Sequence, residues 1–347
     1  MTTTYRQWLL RERPTDALEA RHLELVRAGL PEALKPGEIL LKALYLHFAP
    51  TIRNWMNERT AEERENMLFP YIALGAPVMG PCISQVVRSE NPVYPVGTIL
   101  FSMSGWQEYS LLNPQADGHP VAVIDPAINP ALALSALGPN GLAAWFGLAK
   151  VIDPKPGEIL VVSGAAGSTG SVAAQIGRIK GCRVIGIAGG KAKCDWLKQE
   201  LGIDEAIDYK SQSVEAELRR LAPNGVDAFF DNVGGNTLSA VVENMAVHGR
   251  IALCGQIATY NEDGRTRAPL NVMKLVYWRV RIEGFIMSDW WDEMPGAVAE
   301  LAGWIAEGKV KHREDIRTGF ETVPAVFAEL FAGTNEGTLL MKLADPE

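Results

Sequence analysis

The sequence has few cysteines and no long apolar run. Four of its 347 residues are cysteines (Cys82, Cys182, Cys194 and Cys254), and no two of them form a C-x-x-C pair. This spacing excludes a four-cysteine zinc site and argues against a disulfide framework. No apolar stretch approaches the ~20 residues of a membrane-spanning helix, and no apolar signal region opens the chain. We therefore expect reduced thiols, no membrane partner and a cytoplasmic location.

Positive charge is not in excess either. The chain has 33 Lys and Arg against 41 Asp and Glu, which gives a net charge of −8. An acidic surface repels nucleic-acid phosphates and anionic lipids, so we expect no nucleic-acid partner. Hydrophobic residues make up 47% of the chain, enough for a proper core, and the length of 347 residues suits two domains.

Ligands for a catalytic zinc of the dehydrogenase type are missing. Such a site needs a cysteine, a His-Glu pair and a further Cys or Glu. None of the five histidines is followed by a glutamate, so the sequence predicts no metal. His47 directly follows an apolar strand, and two interpretations of it stay open: a packed histidine or a wall of the substrate pocket.

The first third of the chain has short apolar or alternating runs that are broken by proline and glycine. This pattern is typical of a β-rich, barrel-like domain. Strands are predicted there at residues 39–45, 84–89 and 98–102. Residues 131–148 then show the apolar spacing of a helix, with an interruption at Gly138 and Pro139.

From Pro156 onward, apolar strands alternate with amphipathic helices. The predicted strands are 159–163, 183–188, 205–209, 228–232, 251–255 and 280–285, and the predicted helices are 171–180, 192–201 and 214–221. This alternation predicts an α/β domain with a doubly wound parallel sheet, a Rossmann domain. The tail, residues 319–343, has the pattern strand, helix (324–332), strand.

The strongest chemical signal follows the strand that ends at Ser163. The run Gly164-Ala-Ala-Gly-Ser-Thr-Gly170 leads directly into a helix. Small residues at this place permit a tight turn, close approach of the backbone to a pyrophosphate, and packing of the helix on the strand. Backbone N–H groups at the helix N-terminus then face the phosphates. The run therefore predicts a dinucleotide site, although Ala165 stands where the motif usually begins with glycine.

The residues after the next strand favour NADP over NAD. An NAD site usually has a carboxylate ~20 residues after the glycines, where it binds the ribose 2′-hydroxyl. Here the strand is followed by Gly189-Gly-Lys-Ala-Lys193, with two lysines and no carboxylate. Because an ammonium attracts a 2′-phosphate and a carboxylate repels it, NADP(H) is the predicted cofactor.

These motifs belong to a longer pattern that spans nearly the whole chain. It resembles the zinc-independent medium-chain dehydrogenase/reductase superfamily, and within it the leukotriene/prostaglandin reductase group, with its alkenal double-bond and curcumin reductases. Besides the loop and Lys193, the resemblance is carried by residues 7–8, 105–106, 138–147, 208–210, 231–235, 249–255, 258–261 and 281–285. It implies a GroES-like β-rich domain at 1–126, a Rossmann domain at 127–308, a return segment at 309–347 that completes the first domain, and a homodimer.

The resemblance also assigns cofactor contacts by position. The pyrophosphate would be held by Gly167, Ser168, Thr169 and Gly170, and the 2′-phosphate region by Lys193 and Tyr209. The other implied contacts are Ala166, Gly190, Asn232, Gly234, Cys254, Gly255, Ile257, Phe285, Met287 and Asn335.

The implied reaction is the NADPH-dependent reduction of the carbon–carbon double bond of an α,β-unsaturated aldehyde or ketone, without a metal. Conjugation makes the β-carbon electrophilic, so that carbon receives a hydride and the α-carbon is then protonated. Tyr260 matches the tyrosine that orients or protonates the substrate oxygen, and a hydroxyl, either of Tyr260 or of the cofactor ribose, stabilises the enolate. The alternative for Tyr260 is a loop tyrosine with a solvated hydroxyl.

One segment departs from the family pattern. Ala49-Pro-Thr-Ile-Arg53 stands where the family usually has Asp-Pro-Tyr-Met-Arg, which puts the substrate preference in question. Candidates for the pocket wall are His47, Arg53, Trp55, Trp106 and Trp290, and the alternative is that most of the tryptophans are core residues. Two other functions stay open: an NADPH quinone oxidoreductase of the same fold, and an NADP-binding protein without catalysis.

Overall fold

The computed structural model describes residues 4–65, 71–118, 121–261 and 269–347. Within them, the chain forms two compact units. The first unit contains residues 4–134 and 314–347 together with Tyr260 and Asn261, and the second contains Ser135–Thr259 and residues 269–313. The domain boundaries expected after residues 126 and 308 stay a prediction.

The regular elements are numbered in chain order. The strands are β1 (Thr4–Leu10), β2 (Leu23–Gly29), β3 (Ile39–His47), β4 (Cys82–Ser89), β5 (Ile99–Ser102), β6 (Tyr109–Leu112), β7 (Ala122–Val123), β8 (Ile159–Ser163), β9 (Arg183–Ala188), β10 (Glu205–Asp208), β11 (Val226–Asp231), β12 (Met245–Leu253), β13 (Arg281–Gly284), β14 (Glu314–Arg317) and β15 (Thr338–Lys342). The α-helices are α1 (Ile52–Trp55), α2 (Ala61–Glu65), α3 (Pro130–Leu134), α4 (Pro139–Phe146), α5 (Ser168–Ile179), α6 (Lys191–Gln199), α7 (Val214–Leu221), α8 (Gly235–Glu243), α9 (Val272–Trp278), α10 (Met294–Ala306) and α11 (Val323–Ala332). Short 3-10 turns lie at Ala20–His22, Ile257–Thr259, Met287–Glu293 and Phe320–Thr322, and a π-helical turn at Gly147–Ile152 continues α4.

The first unit is built on a seven-stranded sheet. Its strand order is β14-β15-β3-β4-β5-β7, with β6 also paired to β3, and β1 and β2 form a separate antiparallel pair. Strand β3 is buried at every position except Lys42, as expected for the centre of a sheet. The C-terminal strand β15 pairs antiparallel with β3, with Leu340 opposite His47, so the tail of the chain completes this sheet.

The second unit contains a six-stranded, wholly parallel sheet with the order β10-β9-β8-β11-β12-β13. Counted from β8, this is the order 3-2-1-4-5-6 of a dinucleotide-binding doubly wound sheet. The direction of winding reverses between β8 and β11, so a crevice opens beyond the carboxyl ends of these two strands. The predicted fold class, a Rossmann domain with a separate β-rich domain, is confirmed.

Some predicted elements differ from those observed. Strands β8 and β9 and helix α7 have the predicted bounds, but residues 131–148 form two helices because Gly138 and Pro139 begin a new one. Helix α5 starts at Ser168, three residues before its predicted start, because Gly170 belongs to its first turn. The first strand of the tail is Glu314–Arg317, before the predicted start at Gly319, and its polar sequence gives no apolar signal.

Candidate functional site

The loop between β8 and α5 has the geometry of a phosphate-binding turn. Gly164 adopts a φ of +57°, and the N–H of Gly167 donates to the Gly164 carbonyl over 2.9 Å. A Cβ on Gly170 would lie only 2.3 Å from the same carbonyl oxygen, so helix and loop meet here with no room for a side chain. Gly167 is the N-cap of α5 and supplies no capping side chain. The N-terminus of α5 is therefore suited to receive an anion.

The next turn brings Tyr209 to the end of β9. The N–H of Tyr209 donates to the Ala188 carbonyl over 3.1 Å, and a Cβ on Gly189 would lie 2.9 Å from the Tyr209 hydroxyl oxygen. Gly190, with a φ of +92°, is the N-cap of α6, and Lys193 follows it by three residues, within the first turn of the helix. The tyrosine side chain is 52% exposed. The predicted 2′-phosphate residues thus lie at one corner of the sheet.

Asp208, which also lies at this corner, forms hydrogen bonds within the turn. Its side chain accepts hydrogen bonds from the N–H groups of Gly190 (2.7 Å) and Lys210 (3.0 Å) and from the Ser211 hydroxyl (2.8 Å). These donors, led by the Gly190 N–H, lower the pKa of Asp208. Both carboxylate oxygens thus accept hydrogen bonds from the turn, which leaves less capacity for a ribose hydroxyl.

A buried carboxylate organises the crevice beyond β8 and β11. Asp231 is 0% exposed and accepts from the Ser163 hydroxyl (2.6 Å) and from the N–H groups of Val233 (3.0 Å) and Gly234 (3.1 Å). The Ser163 hydroxyl accepts in turn from the Asn232 N–H over 2.8 Å. Burial raises the pKa of Asp231, against the lowering effect of these donors. The network fixes Asn232 and Gly234, both predicted cofactor contacts, over the end of β8.

The same crevice holds the predicted residues after β12. The N–H groups of Cys254 and Gly255 donate to the Asp231 carbonyl over 2.8 and 3.2 Å, and that of Ile257 donates to the Asn232 carbonyl over 3.3 Å. Burial raises the pKa of the Cys254 thiol to about 12. The thiol therefore stays protonated at neutral pH and is a packing group rather than a nucleophile.

The predicted residues after β13 lie in an aromatic cluster. The ring of Phe285 packs edge-on against Phe230 with centroids 6.2 Å apart. Trp290 stacks on Phe146 at 5.3 Å with an interplanar angle of 13°, and its ring lies 6.3 Å from that of Phe285. Met287 opens the 3-10 turn that carries Trp290. The structure thus brings Phe285, Met287 and Trp290 together within the second unit.

Comparison with known proteins identifies the family. A model of an oxidoreductase N-terminal domain matches residues 6–119, and a model of a zinc-binding dehydrogenase matches residues 168–303. Prostaglandin reductase 1 of Oryctolagus cuniculus is 37% identical, over 96% of this chain and 91% of its own length. The NADPH-dependent curcumin reductase of Escherichia coli K12 is 33% identical, over 98% and 97%. The chain belongs to the medium-chain dehydrogenase/reductase superfamily.

A solved structure agrees with this assignment. CurA from Vibrio vulnificus, crystallised in complex with NADPH, is 32% identical and matches with a TM-score of 0.89 over 98% of this chain and all of its own. The predicted resemblance to the prostaglandin and curcumin reductases is therefore confirmed. Although one family model is named for zinc, no group of three or more His, Cys, Asp or Glu side chains suited to a metal ion occurs in the described part of this reductase.

The pocket residues predicted in the first unit of the reductase are mostly buried. Trp55 and Trp106 belong to the core, where Trp106 packs edge-on against Phe327 with centroids 5.2 Å apart. Arg53 is 0% exposed. The amide of Asn335 donates to the Gly337 carbonyl over 2.9 Å. Burial gives Arg53, Trp55 and Trp106 structural roles, and their assignment to a substrate pocket stays a prediction.

Tyr260 follows the 3-10 turn Ile257–Thr259 and is only 8% exposed. This burial favours a site residue over a loop tyrosine with a solvated hydroxyl, and the role of Tyr260 stays a prediction. In the described part of the reductase, no helix combines the length and the apolar character that a membrane crossing requires.

The sequence does not reveal the structural roles of two residues at the site. They are Asp231, whose carboxylate accepts from the Ser163 hydroxyl, and Asn140 at the start of α4, whose amide donates to the Ser168 hydroxyl. Asp231 lies at the carboxyl end of a buried strand and is followed by Asn232-Val-Gly-Gly235, and a strand-end carboxylate before glycines was a usable signal. Nothing in the sequence joins Asn140 to the loop, 28 residues further along the chain.

The stability of the first unit is expected to fall in acid because of His47. Burial lowers the pKa of His47 from 6.5 to about 4, so the folded protein excludes a proton that the unfolded chain takes up. This contribution to stability is complete above pH 6.5 and is lost as the pH falls to about 4, by ~3 kcal/mol. Urea denaturation at several pH values across that range should show that the free energy of unfolding falls more steeply with decreasing pH in the natural protein than in His47→Gln. Equal slopes would show that His47 takes up its proton in the folded state.

Proposed function

We propose that this protein reduces the carbon–carbon double bond of an α,β-unsaturated aldehyde or ketone with NADPH. The observation that carries the proposal is the combination of the tight β8–α5 loop with the Lys193 and Tyr209 corner, in a chain whose relatives include prostaglandin, curcumin and 2-alkenal reductases. The backbone N–H groups of the loop would bind the pyrophosphate, and the ammonium group of Lys193 would provide the positive charge that a 2′-phosphate requires.

The residues present fit NADP(H). Gly167 to Gly170 would hold the pyrophosphate through backbone N–H groups, and Gly170 has no space for a Cβ. Lys193, Gly190 and Tyr209 would take the 2′-phosphate, and the crevice fixed by Asp231 would hold the nicotinamide half. When bound, NADPH supplies the hydride that the β-carbon of the substrate receives.

Tyr260 is proposed to act on the substrate oxygen. Reduction at the β-carbon leaves negative charge on the carbonyl oxygen, and a phenol that donates a hydrogen bond stabilises that charge without a metal. The α-carbon then takes a proton. Because Tyr260 is only 8% exposed, bulk water would compete little with the substrate oxygen for the hydrogen bond from its hydroxyl.

The test of the reaction is NADPH oxidation with a panel of a 2-alkenal, an aryl enone, a quinone and a saturated aldehyde, with product identification. We expect the enone or enal to be turned over to the saturated carbonyl, and Tyr260→Phe to lower kcat with little change in the affinity for NADP⁺. Turnover of the quinone alone would make the protein a quinone oxidoreductase. NADPH binding without any turnover would favour a protein that binds NADP and does not catalyse.

Lys193→Ala is expected to weaken NADPH binding about 10- to 100-fold and to leave NADH nearly unaffected, because one charge-assisted contact to phosphate contributes roughly 1.5–3 kcal/mol. Lys191→Ala is the matched control, since Lys191 is a neighbouring lysine paired at the surface with Asp195. The readout is KM for each cofactor. An equal loss with NADPH and NADH would refute the assignment of Lys193 to the 2′-phosphate.

We also propose a homodimer formed through the second unit. Strand β13 is the edge of the parallel sheet, and the neighbouring helix α9 buries none of its residues although six of its seven are apolar or aromatic. An open strand edge beside an apolar helix face suits a two-fold contact with a second copy. Sedimentation should give a dimer for the natural protein and for Val123→Glu, whose site is 60% exposed in the other unit, but a monomer for Val276→Glu. A monomeric natural protein would refute the proposal.

A further inference from the structure

We propose that Asn140 is a positioning residue for the cofactor: it fixes the hydroxyl groups of Ser168 and Thr169 at the phosphate loop and thereby sets the affinity for the dinucleotide. The inference rests on the proposed NADP-binding function. It adds to that function a residue outside the glycine-rich run, on a different helix.

Asn140 joins the beginnings of two helices. It is the second residue of α4, and Ser168 and Thr169 are the first two residues of α5. The Asn140 Nδ2 group donates to Ser168 Oγ over 2.7 Å, and its Oδ1 accepts from Thr169 Oγ1 over 3.3 Å. The Asn140 side-chain amide is thus hydrogen-bonded to two neighbouring hydroxyls, where the loop meets the N-terminus of α5.

The backbone that presents this amide is closely held. A Cβ on Gly141 would lie 1.8 Å from the carbonyl oxygen of Ala136, so the first turn of α4 packs directly on the preceding chain. Pro139, at the first helical position, restricts φ there. Asn140 therefore offers its donor and acceptor from a nearly fixed position, which is what a positioning residue needs.

The two bonds also set the directions of the hydroxyl protons. Ser168 Oγ accepts from the amide, so its own proton points away from Asn140, whereas Thr169 directs its proton to Oδ1. A carboxylate at this position can only accept. It would draw the Ser168 proton toward itself and would place a negative charge beside the N-terminus of α5, where the phosphates would bind.

The experiment measures Kd for NADP⁺ by titration calorimetry, at low and high salt, for Asn140→Leu and Asn140→Asp. We expect about a two- to tenfold increase for Asn140→Leu at both salt concentrations, the range expected for a lost hydrogen-bond link. For Asn140→Asp we expect at least about a tenfold increase at low salt and a smaller one at high salt, because salt screens the added charge. With saturating NADPH, kcat should stay within about twofold.

Asn271→Asp is the matched charge control. Asn271 caps α9 by accepting the Lys274 N–H over 3.0 Å, and aspartate keeps that cap while adding the same charge. Its Kd should equal that of the natural protein. Circular dichroism and thermal unfolding of every variant separate a change in affinity from a loss of folded protein.

A double-mutant cycle tests the link itself. If Asn140 acts through Ser168, Asn140→Leu should change Kd less in a Ser168→Ala background than in the natural protein. Fully additive effects, or values for both Asn140 variants within twofold of the natural Kd, would overturn the inference while NADP⁺ binding stands. If the natural protein does not bind NADP⁺, the proposed function fails and this inference fails with it.

Discussion

Gly170→Ala is expected to reduce NADP⁺ binding by at least about 100-fold. The new methyl group would lie 2.3 Å from the Gly164 carbonyl oxygen, 2.8 Å from its carbonyl carbon and 2.9 Å from the Ala165 Cα. Ordinary contacts begin near 3.4 Å, and all three neighbours are backbone atoms. The helix and the loop must therefore separate by roughly 1 Å, and dense packing leaves no cheap way to do so.

The displacement would fall on the atoms that are proposed to bind phosphate. The first turn of α5 and the loop Gly164 to Gly167 would lose their relative placement, so the backbone N–H groups would no longer converge on one anion. The measurements are Kd by calorimetry and the midpoint of thermal unfolding. We expect a loss in binding free energy of about 2.7 kcal/mol or more, beside the loss in stability of about 1–3 kcal/mol that overpacking causes.

Gly177→Ala is the matched control in the same helix. Its Cβ would also meet an atom at 2.3 Å, but that atom is the side-chain Cδ2 of Leu160, at the far end of the helix from the loop. We expect a lowered unfolding midpoint with nearly natural NADP⁺ affinity. If the two variants lost affinity equally, the effect would come from general destabilisation and not from the loop.

Several strands and helices of the second unit could be predicted because their buried residues form apolar patterns in the sequence. Strands β8 and β9 are almost wholly buried, so their residues are apolar except for Ser163 at the end of β8 and Arg183 at the start of β9, and glycines follow both strands. Strand β14 could not be found in this way. Its sequence, Glu-Asp-Ile-Arg, is polar, and it is a strand only because β15 offers a parallel partner at the sheet edge.

Some residues of the site can likewise be predicted from a local motif, whereas others are identified only by contacts between distant parts of the sequence. The loop and Lys193 are visible because one short segment contains the whole motif. Ser163, the hydroxyl partner of Asp231, and Ser168, a partner of Asn140, lie 68 and 28 residues away in the sequence, so only the folded chain shows that they touch. Arg53 is the clearest case. A charged residue in an altered family segment suggests a ligand contact, whereas its acceptors include backbone carbonyls 37 and 39 residues away.

Arg53→Met is expected to destabilise the first unit by about 3 kcal/mol or more, because each buried acceptor left without a donor costs roughly 1–3 kcal/mol. Arg53 donates to the carbonyl of Pro14 over 2.9 Å, to that of Asp16 over 2.6 and 3.1 Å, and to the side-chain oxygen of Asn57. Burial lowers the pKa of Arg53 to about 10, so the side chain remains a cation at neutral pH. Methionine fills similar space but leaves these acceptors without a donor.

The measurement is thermal unfolding, where a loss of this size lowers the midpoint by on the order of 10 °C. Arg21→Met is the matched control. Arg21 forms two ion pairs with Glu12 and Glu19, but its side chain is 55% exposed, and exposed pairs contribute only about 0–1 kcal/mol each. If the unfolding midpoint fell by a similar amount in Arg53→Met and Arg21→Met, the buried contacts of Arg53 would contribute no more to stability than the exposed ion pairs of Arg21.

The same position also separates the structural role from the pocket role predicted from the sequence. Arg53→Lys keeps the charge but has a single donor group, so it cannot reach the carbonyls of Pro14 and Asp16 and the side chain of Asn57 together. If Arg53 acts only on the fold, this variant should unfold at a lower temperature yet keep the natural KM for the enone while folded. A raised KM with an unchanged unfolding midpoint would instead place the guanidinium at the substrate. Because all its contacts described above are to protein acceptors and the side chain is 0% exposed, we expect the first result.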